Sequence, residues 1–422
     1  MTVSPRPIDL LVTGAAEVAT PLGTTPRGGA ELGAIRVLED GAVACHDGEV
    51  VAVGPAAELA GAYRATETLD AAGGTIVPGF VDAHTHPVFF GTREDEFEMR
   101  VAGRSYVEIA RSGGGIAASL KGVRDNSLEL LLERLLVRLD RFLAFGTTTV
   151  EAKSGYGLTL VDELKCLRAI DTANRAHAVD LVPTFLGAHD FPPEYRGQHE
   201  AYVTLLVEEM LPAIAESHLA RYCDIFTEAH VFDLEASRRI LGRARELGFE
   251  LRMHVDQLTP LGGAELAAEL GAASADHLEH VSDAGIAALA AGGVIPVLCP
   301  LVPLYLRETQ EAPARRMVNE GLAPALATDF NPGSCYTQSM PEVLTWAALR
   351  YGFSAAEALT AATLNAACSL GLGAELGTLE PGKAADLLVL DVDNYHHLTY
   401  ELGRNPVRAV VKRGRVVLGA AE

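Results

Sequence analysis

The chain has 422 residues, 49% hydrophobic and 21% charged, a composition that excludes a disordered polypeptide and suffices for one large domain plus a smaller one. Its formal net charge of -22 makes the long-range field repulsive to phosphate backbones and anionic membranes, so neither nucleic acid nor a membrane is expected as a partner. The six cysteines (Cys45, Cys166, Cys223, Cys299, Cys335, Cys368) contain no Cys-x-x-Cys pair, no basic, apolar leader precedes the first strand, and no apolar run nears the ~20 residues that span a bilayer; reduced thiols in a cytoplasm are the expectation.

The first 73 residues hold short β-like runs, IDLLVTG, AVACHDG and EVVAVG, punctuated by glycine and Asp-Gly turn signals. From residue 74 onward eight apolar runs alternate with helix-like stretches: 74–84, 146–153, 181–189, 223–232, 250–257, 274–280, 294–300 and 324–330. The clearest helix begins at Leu128 and stops at Gly146, a good C-terminal cap. Such alternation predicts βα units around a parallel sheet. Eight of them over roughly 300 residues is the size of a (β/α)8 TIM barrel, although the count alone leaves a doubly wound sheet open. ADLLVLDVD and VRAVVKRGRVVLG then return to short strands around turns. The expected organisation is a barrel over 74–374 and one composite, β-sandwich-like domain built from 1–73 and 375–422.

In a barrel the reactive groups come from the C-terminal ends of the strands. Run one closes on His84-Thr85-His86, run three on His189-Asp190, run five on His254-Val255-Asp256-Gln257, run six on Asp276-His277, and run eight on Thr328-Asp329-Phe330-Asn331. His-x-His at a strand end suits a metal, because residues i and i+2 point to one face and their imidazoles can meet at one ion. Alone, such a pair reads equally as solvated surface groups, the expectation for His396 and His397. With His254 and Asp329 at two further strand ends, the set suits one divalent or trivalent ion, zinc or iron, with a position left for water. His46, His177, His199, His218 and His230 lack a supporting motif and are expected to be structural or surface groups. Of His277 and His280, only His277 falls where the strand points into the mouth.

The element PGFVDAHTHP, the strand-borne His254, His277 beyond it and the terminal ATDFNPGS resemble the metal-dependent amidohydrolase superfamily. VDAHTHPVFFGTREDEF, EAKSGYGL, TFLGAHDFPPEY, MHVDQLT, SADHLEH, CPLVPLYL and ATDFNPGS look like the segments of one family within it, covering the chain from about residue 74 to 345. KSGYGL and TDFNPGS discriminate most, whereas PGF-D-H-H is specific only to the superfamily. The resemblance implies hydrolytic opening of 4-imidazolone-5-propanoate to N-formimidoyl-L-glutamate, the third step of histidine degradation, in a protein that is a homodimer. By the family's pattern the metal ligands are His84, His86, His254 and Asp329. Substrate contacts carry over to Arg93, Tyr156, His189, Gln257 and Ser334, with Tyr106 a further candidate beside Arg93, and Asn331 and Gly333 touching the product. The pattern departs at Gln257, where some relatives have a glutamate; an amide cannot act as a base.

A cyclic amide resists water because the nucleophile is weak and the developing oxyanion unsupported. Asp329 is the expected acceptor of the water proton and donor to the leaving nitrogen, and His277 the stabiliser of the carbonyl oxygen. Arg93 offers a forked cation to the propanoate carboxylate; otherwise it is a surface arginine paired with Glu94, Asp95 or Glu96. Tyr156 sits in a glycine-flanked turn that can approach a ligand closely, or is a plain turn tyrosine. A deaminase of the superfamily commonly carries a glutamate proton shuttle where Gln257 stands. A binuclear hydrolase needs a bridging ligand at the end of run four, whereas the strand-end lysine, Lys153, is on run two. A scaffold that has lost its chemistry usually lacks metal ligands, and none is missing here.

Overall fold

A computed structural model, describing residues 5–105, 108–109 and 113–419, places the predicted runs in three sheets. Strands are numbered along the chain. One terminal sheet joins β1 (Arg6–Thr13), β4 (Gly41–His46), β5 (Glu49–Pro55) and β6 (Tyr63–Asp70) in the order β5-β4-β1-β6. The other joins β2 (Glu17–Pro21), β3 (Ile35–Glu39), β7 (Thr75–Pro78), β16 (Leu387–Leu390), β17 (Val407–Lys412) and β18 (Arg415–Leu418) in the order β18-β17-β16-β7-β2-β3. Side chains of both sheets, among them Leu10, Val12, Val43, Ile76, Leu387, Val389 and Val411, share one apolar cluster, so the termini together make a sandwich.

The barrel consists of β8 (Phe80–Asp82), β9 (Thr147–Lys153), β10 (Asp180–Ala188), β11 (Tyr222–Thr227), β12 (Glu250–Val255), β13 (Ser274–His277), β14 (Ile295–Leu298) and β15 (Ala325–Leu326), each parallel to the next. The ring closes just past its first and last strands. Thr85 and Phe330 form a parallel bridge, the Asp329 amide donates to the His84 carbonyl at 3.1 Å, and the His86 amide donates to the Phe330 carbonyl at 2.9 Å. Closure makes this the (β/α)8 barrel and sets aside the doubly wound alternative.

The first predicted run, 74–84, is two strands. It breaks at Gly79, where a Cβ would run into the Thr148 side chain, so β7 stays with the terminal sheet while β8 enters the barrel. β16 explains why some strands read as unbroken apolar runs. Its Leu387 and Val389 enter the sandwich core and its Leu388 and Leu390 the barrel core, because each face of the strand meets a different domain. All six cysteines are free thiols. Among the described residues no helix is long and apolar enough to cross a membrane.

The helix Leu128–Ala144 follows its pattern: the Ser127 hydroxyl accepts from the Leu130 amide at 3.4 Å, and Leu131, Leu135, Leu139 and Phe142 are buried. Gly146, with φ at 84°, then turns the chain directly into β9. A Cβ there would lie 2.7 Å from Leu388 Cδ1 and 3.1 Å from Phe80 Cδ2 and Val407 Cγ2. Gly146→Ala is therefore expected to cost about 2–5 kcal/mol, combining left-handed strain with overpacking. Denaturant unfolding measures it, and a loss below about 1 kcal/mol would contradict the account.

Candidate active site

The closing seam assembles the first part of the site. The Thr85 bridge continues the strand pattern beyond β8, so His84 and His86 turn to one side, and the seam sets Asp329 against them. Across the barrel, β12 carries His254 in register with Asp276 of β13. Nε2 of His86 lies 3.4 Å from Nε2 of His84 and 3.3 Å from Nε2 of His254, and Oδ1 of Asp329 is 3.4 Å from Nε2 of both His84 and His86. Tetrahedral ligands about 2.0–2.1 Å from one ion stand about 3.3–3.4 Å apart, so each of these four contacts has the spacing of neighbouring ligands in a single-ion cage. Oδ1 of Asp329 is buried and, among the described residues, without a hydrogen-bond partner, which suits a ligand atom better than a structural carboxylate.

A buried ionic layer lies behind the cage. Nδ1 of His84 donates to Asp276 at 2.6 Å, and Nδ1 of His254 to Asp224 at 3.0 Å, which keeps the proton on Nδ1 and turns Nε2 toward the cage. Lys153 Nζ spans Glu151 at 2.8 Å and Asp224 at 2.7 Å. Arg252 reaches Asp276 at 3.4 Å and donates to the carbonyls of Ala83 and Ser369 at 2.8 and 3.0 Å. With Asp329, this network sets four carboxylates against two cations, a formal surplus of two negative charges that a divalent ion cancels.

The titration of the imidazoles reflects that surplus. Burial and Lys153 act to lower the pKa of His84, but Asp276 and Asp329 outweigh them and bring it up to about 9. Burial instead pushes His254 down to about 3 and His86 well below its ordinary value. Burial raises Asp329, yet the imidazoles of His84 and His86 beside it prevail and hold its carboxyl well below the usual range. Carboxylates that draw a proton onto His84 draw a metal cation in the proton's place, because an imidazole ligates only through a free lone pair.

Over the cage opens a cavity. Arg93, Tyr156, His189, Gln257, Asn331 and Ser334 line it, together with His86, His254, His277 and Asp329. Arg93 donates from Nε and Nη2 to Glu96 at 3.0 and 2.6 Å, so the salt bridge considered for a surface arginine is made, but within a buried wall. Gly333 lies against that guanidinium, where a Cβ would run into it, and its carbonyl accepts from buried Arg100 at 2.5 Å. Tyr156 is carried on a loop whose Gly155, Gly157 and Leu158 amides donate to buried Glu163 at 2.9, 2.8 and 2.8 Å.

His189 donates from Nδ1 to the Gly155 carbonyl at 2.9 Å, and its ring stacks on His86 with centroids 4.9 Å apart. Burial pushes it down to about 4, so at neutral pH it is uncharged and its Nε2 is an acceptor. Asn331 stitches its own loop, accepting from the Gly333 and Ser334 amides at 2.8 and 2.6 Å and donating to the Ser334 hydroxyl at 2.7 Å. The Ser334 hydroxyl lies 3.4 Å from Oδ2 of Asp329. A ring nitrogen of His277 comes within 4.8 Å of ligand atoms of His84 and His254. His277, Leu278 and Asp329 have φ of 78°, 72° and 48°, left-handed backbone that non-glycine residues rarely adopt, gathered here at the site. Tyr106 lies outside the described residues.

Sequence reading missed Glu151, Asp224, Arg252 and Asp276 as supports of the ligands, and Ile116, Phe226, Leu258 and Leu306 as apolar lining. A signal existed for the charged ones. Glu151 and Lys153, like Arg252 and His254, stand two apart within one strand, the spacing that turns both side chains into a barrel.

The Amidohydrolase family model matches residues 75–417. The chain is 50% identical over 417 residues to the imidazolonepropionase of Symbiobacterium thermophilum, with 98% of each chain covered. It is 48% identical to that of Solibacter usitatus, covering 93% of this chain and 94% of the relative. Among solved structures it resembles a zinc-bound adenosine deaminase from Xanthomonas campestris, with a TM-score of 0.73, 22% identity and coverage of 98% and 94%. It also resembles Escherichia coli guanine deaminase, with a TM-score of 0.74, 19% identity and coverage of 97% and 99%. At such identities the two structures speak for the fold alone.

The ionic layer gives a test independent of turnover. Lys153→Met keeps most of the volume but strands Glu151 and Asp224, and is expected to lower unfolding free energy by about 3–5 kcal/mol. Denaturant titration of the two proteins side by side reads the difference. A change below about 1 kcal/mol would show that Lys153 is not what neutralises the layer.

Proposed function

This chain belongs to the amidohydrolase family and, within it, to the imidazolonepropionases, and we propose that the cavity over the cage is where it hydrolyses 4-imidazolone-5-propanoate to N-formimidoyl-L-glutamate. The observation that carries the assignment of the site is the chain of 3.3–3.4 Å contacts that links three imidazole nitrogens and one carboxylate oxygen beneath a cavity walled by Arg93.

His84, His86, His254 and Asp329 would hold one ion, zinc or iron, since imidazole and carboxylate ligands suit both. When bound, the ion supplies Lewis acidity, which makes water acidic enough to attack near neutral pH. The remaining work belongs to the side chains. Oδ2 of Asp329 accepts the proton of the attacking water while oxygen adds to the ring carbonyl carbon. His277 donates to the carbonyl oxygen as it gains negative charge. The carbon–nitrogen bond then breaks, and Asp329 returns the proton to the departing nitrogen, leaving a carboxylate and a formimidoyl amine.

Arg93, held at one edge by Glu96, binds the propanoate carboxylate, a role that the family's pattern extends to Tyr106. Tyr156, His189, Gln257 and Ser334 contact the ring and carboxylate atoms, with Asn331 and Gly333 on the product side. Gln257 can donate or accept a hydrogen bond but cannot take a proton, which leaves proton transfer to Asp329 and argues against deaminase chemistry through that position. Lys153, engaged by Glu151 and Asp224, serves the layer behind the ligands, which supports a single ion over a bridged pair. The reaction is that of histidine degradation.

Loss of imidazolone absorbance, followed with metal content measured on the same sample, tests the assignment. His277→Ala is expected to keep its metal and lose about 100-fold or more in kcat; near wild-type turnover would overturn the role of His277. For the carboxylate contact, Arg93→Met is best combined with Glu96→Gln, so that no buried carboxylate is stranded. The pair should raise KM for the propanoate substrate roughly 10- to 100-fold, the range for a charged hydrogen bond, and an unchanged KM would remove Arg93 from substrate binding.

A further inference from the structure

Beyond the two carboxylates that back His84 and His254, a third stands behind His277. Nδ1 of His277 lies 3.7 Å from Oε1 of Glu279. Both residues are buried, at 1% and 4% exposure. Among the described residues, neither this nitrogen nor either Glu279 oxygen has a hydrogen-bond partner, and the ion-pair partner of Glu279 is His277. A buried carboxylate left unsatisfied is costly, and its persistence calls for a reason.

The backbone shows how the side chain is brought there. The left-handed turn at His277 and Leu278 folds the chain back after β13, and bonds from the Leu278 amide to the Val255 carbonyl at 3.2 Å and from the His280 amide to the Asp256 carbonyl at 2.7 Å pin it. Gln310 anchors the Glu279 carbonyl at 3.0 Å. Glu279 is thus tethered on both sides and its carboxylate returned to the ring two residues before it.

We propose that Glu279 is a positioning residue for His277: its carboxylate takes the Nδ1 edge of the imidazole and so presents the other ring nitrogen to the carbonyl oxygen of the substrate. The inference rests on the role assigned to His277 above. An imidazole has two nearly isosteric orientations related by a half-turn of the ring; the half-turn sets a C–H against Glu279, so the carboxylate selects one of them. A shift of about 1 Å brings the 3.7 Å contact to hydrogen-bond length. His277 then follows the pattern of His84 and His254, in which a carboxylate on Nδ1 orients the ring, except that the His277–Glu279 pair holds two protons, one between Nδ1 and the carboxylate and one on Nε2, which donates to the substrate oxygen.

A double-mutant cycle on the metal-loaded enzyme tests this. Glu279→Gln is expected to lower kcat by roughly 10- to 100-fold, as for outer carboxylate partners of functional histidines, with KM and metal content little changed. In a His277→Ala background the same substitution should add no further loss, because its effect runs through the ring. An equal loss in both backgrounds, or wild-type kcat in Glu279→Gln while His277→Ala is impaired, overturns the role of Glu279 alone. Full turnover in His277→Ala overturns the assignment of His277 and this proposal with it. If Glu279→Gln does not fold, Glu279→Asp, which keeps the charge but shortens the reach, carries the same cycle with the same outcomes.

Discussion

Two amide hydrogen bonds, Asp329 to the His84 carbonyl and His86 to the Phe330 carbonyl, close the barrel and build the cage in one act. The strands on either side are the shortest of the ring, three residues in β8 and two in β15, so ladder bonds alone hold the seam weakly. Asp82 reinforces it from below, accepting from the Thr328 amide at 3.1 Å and hydroxyl at 2.6 Å. Burial raises Asp82 to about 7 against those bonds, a measure of how dry the seam is. A one-residue slip of this pairing would turn His84 and His86 away from Asp329, so barrel register and ligand geometry are the same constraint.

The charges follow from that geometry. A cage made of three imidazoles and one carboxylate sits above Asp224, Asp276 and Glu151, and among the described residues Lys153 and Arg252 offset them. Burying so many ions costs several kcal/mol per group in general, and the layer is tolerable because each member has a partner. The arrangement favours function over maximal stability: it orients nitrogens, concentrates negative potential where a cation belongs, and leaves Asp329 Oδ1 without a hydrogen-bonding partner among the described residues. A chain of net charge -22 repels an anionic ligand at long range, and the buried guanidiniums of Arg93 and Arg100 on either side of Gly333 place cationic groups at the mouth.

Much of this was legible from strand ends. Eight apolar runs, a His-x-His at the close of the first and an Asp after the last predict a barrel with a metal at its mouth, because period-2 geometry and parallel strands leave few other placements. Two things were hidden for physical reasons. The first run reads as one strand, since apolar pattern alone does not register that Gly79 must pass Thr148 closely and divide it between two sheets. The supports Asp224 and Asp276 were invisible because what marks them is a cross-strand neighbour, and strand order had to be known first. Arg93 illustrates a third case: its pairing with Glu96 was a correct local inference, yet burial decides whether such a pair is surface decoration or an oriented binding group.

β16 carries a consequence for how the protein is made. Residues 387–390 pair with residues 75–78 of β7, and their alternate side chains complete both the sandwich and the floor of the barrel. During vectorial synthesis the ribosome therefore releases every ligand of the cage before it releases the strand that seals the floor. The nascent barrel waits with its lower apolar surface uncovered until residues 387–390 emerge, which makes this strand, remote from the chemistry, the part on which escape from chaperones and proteases depends.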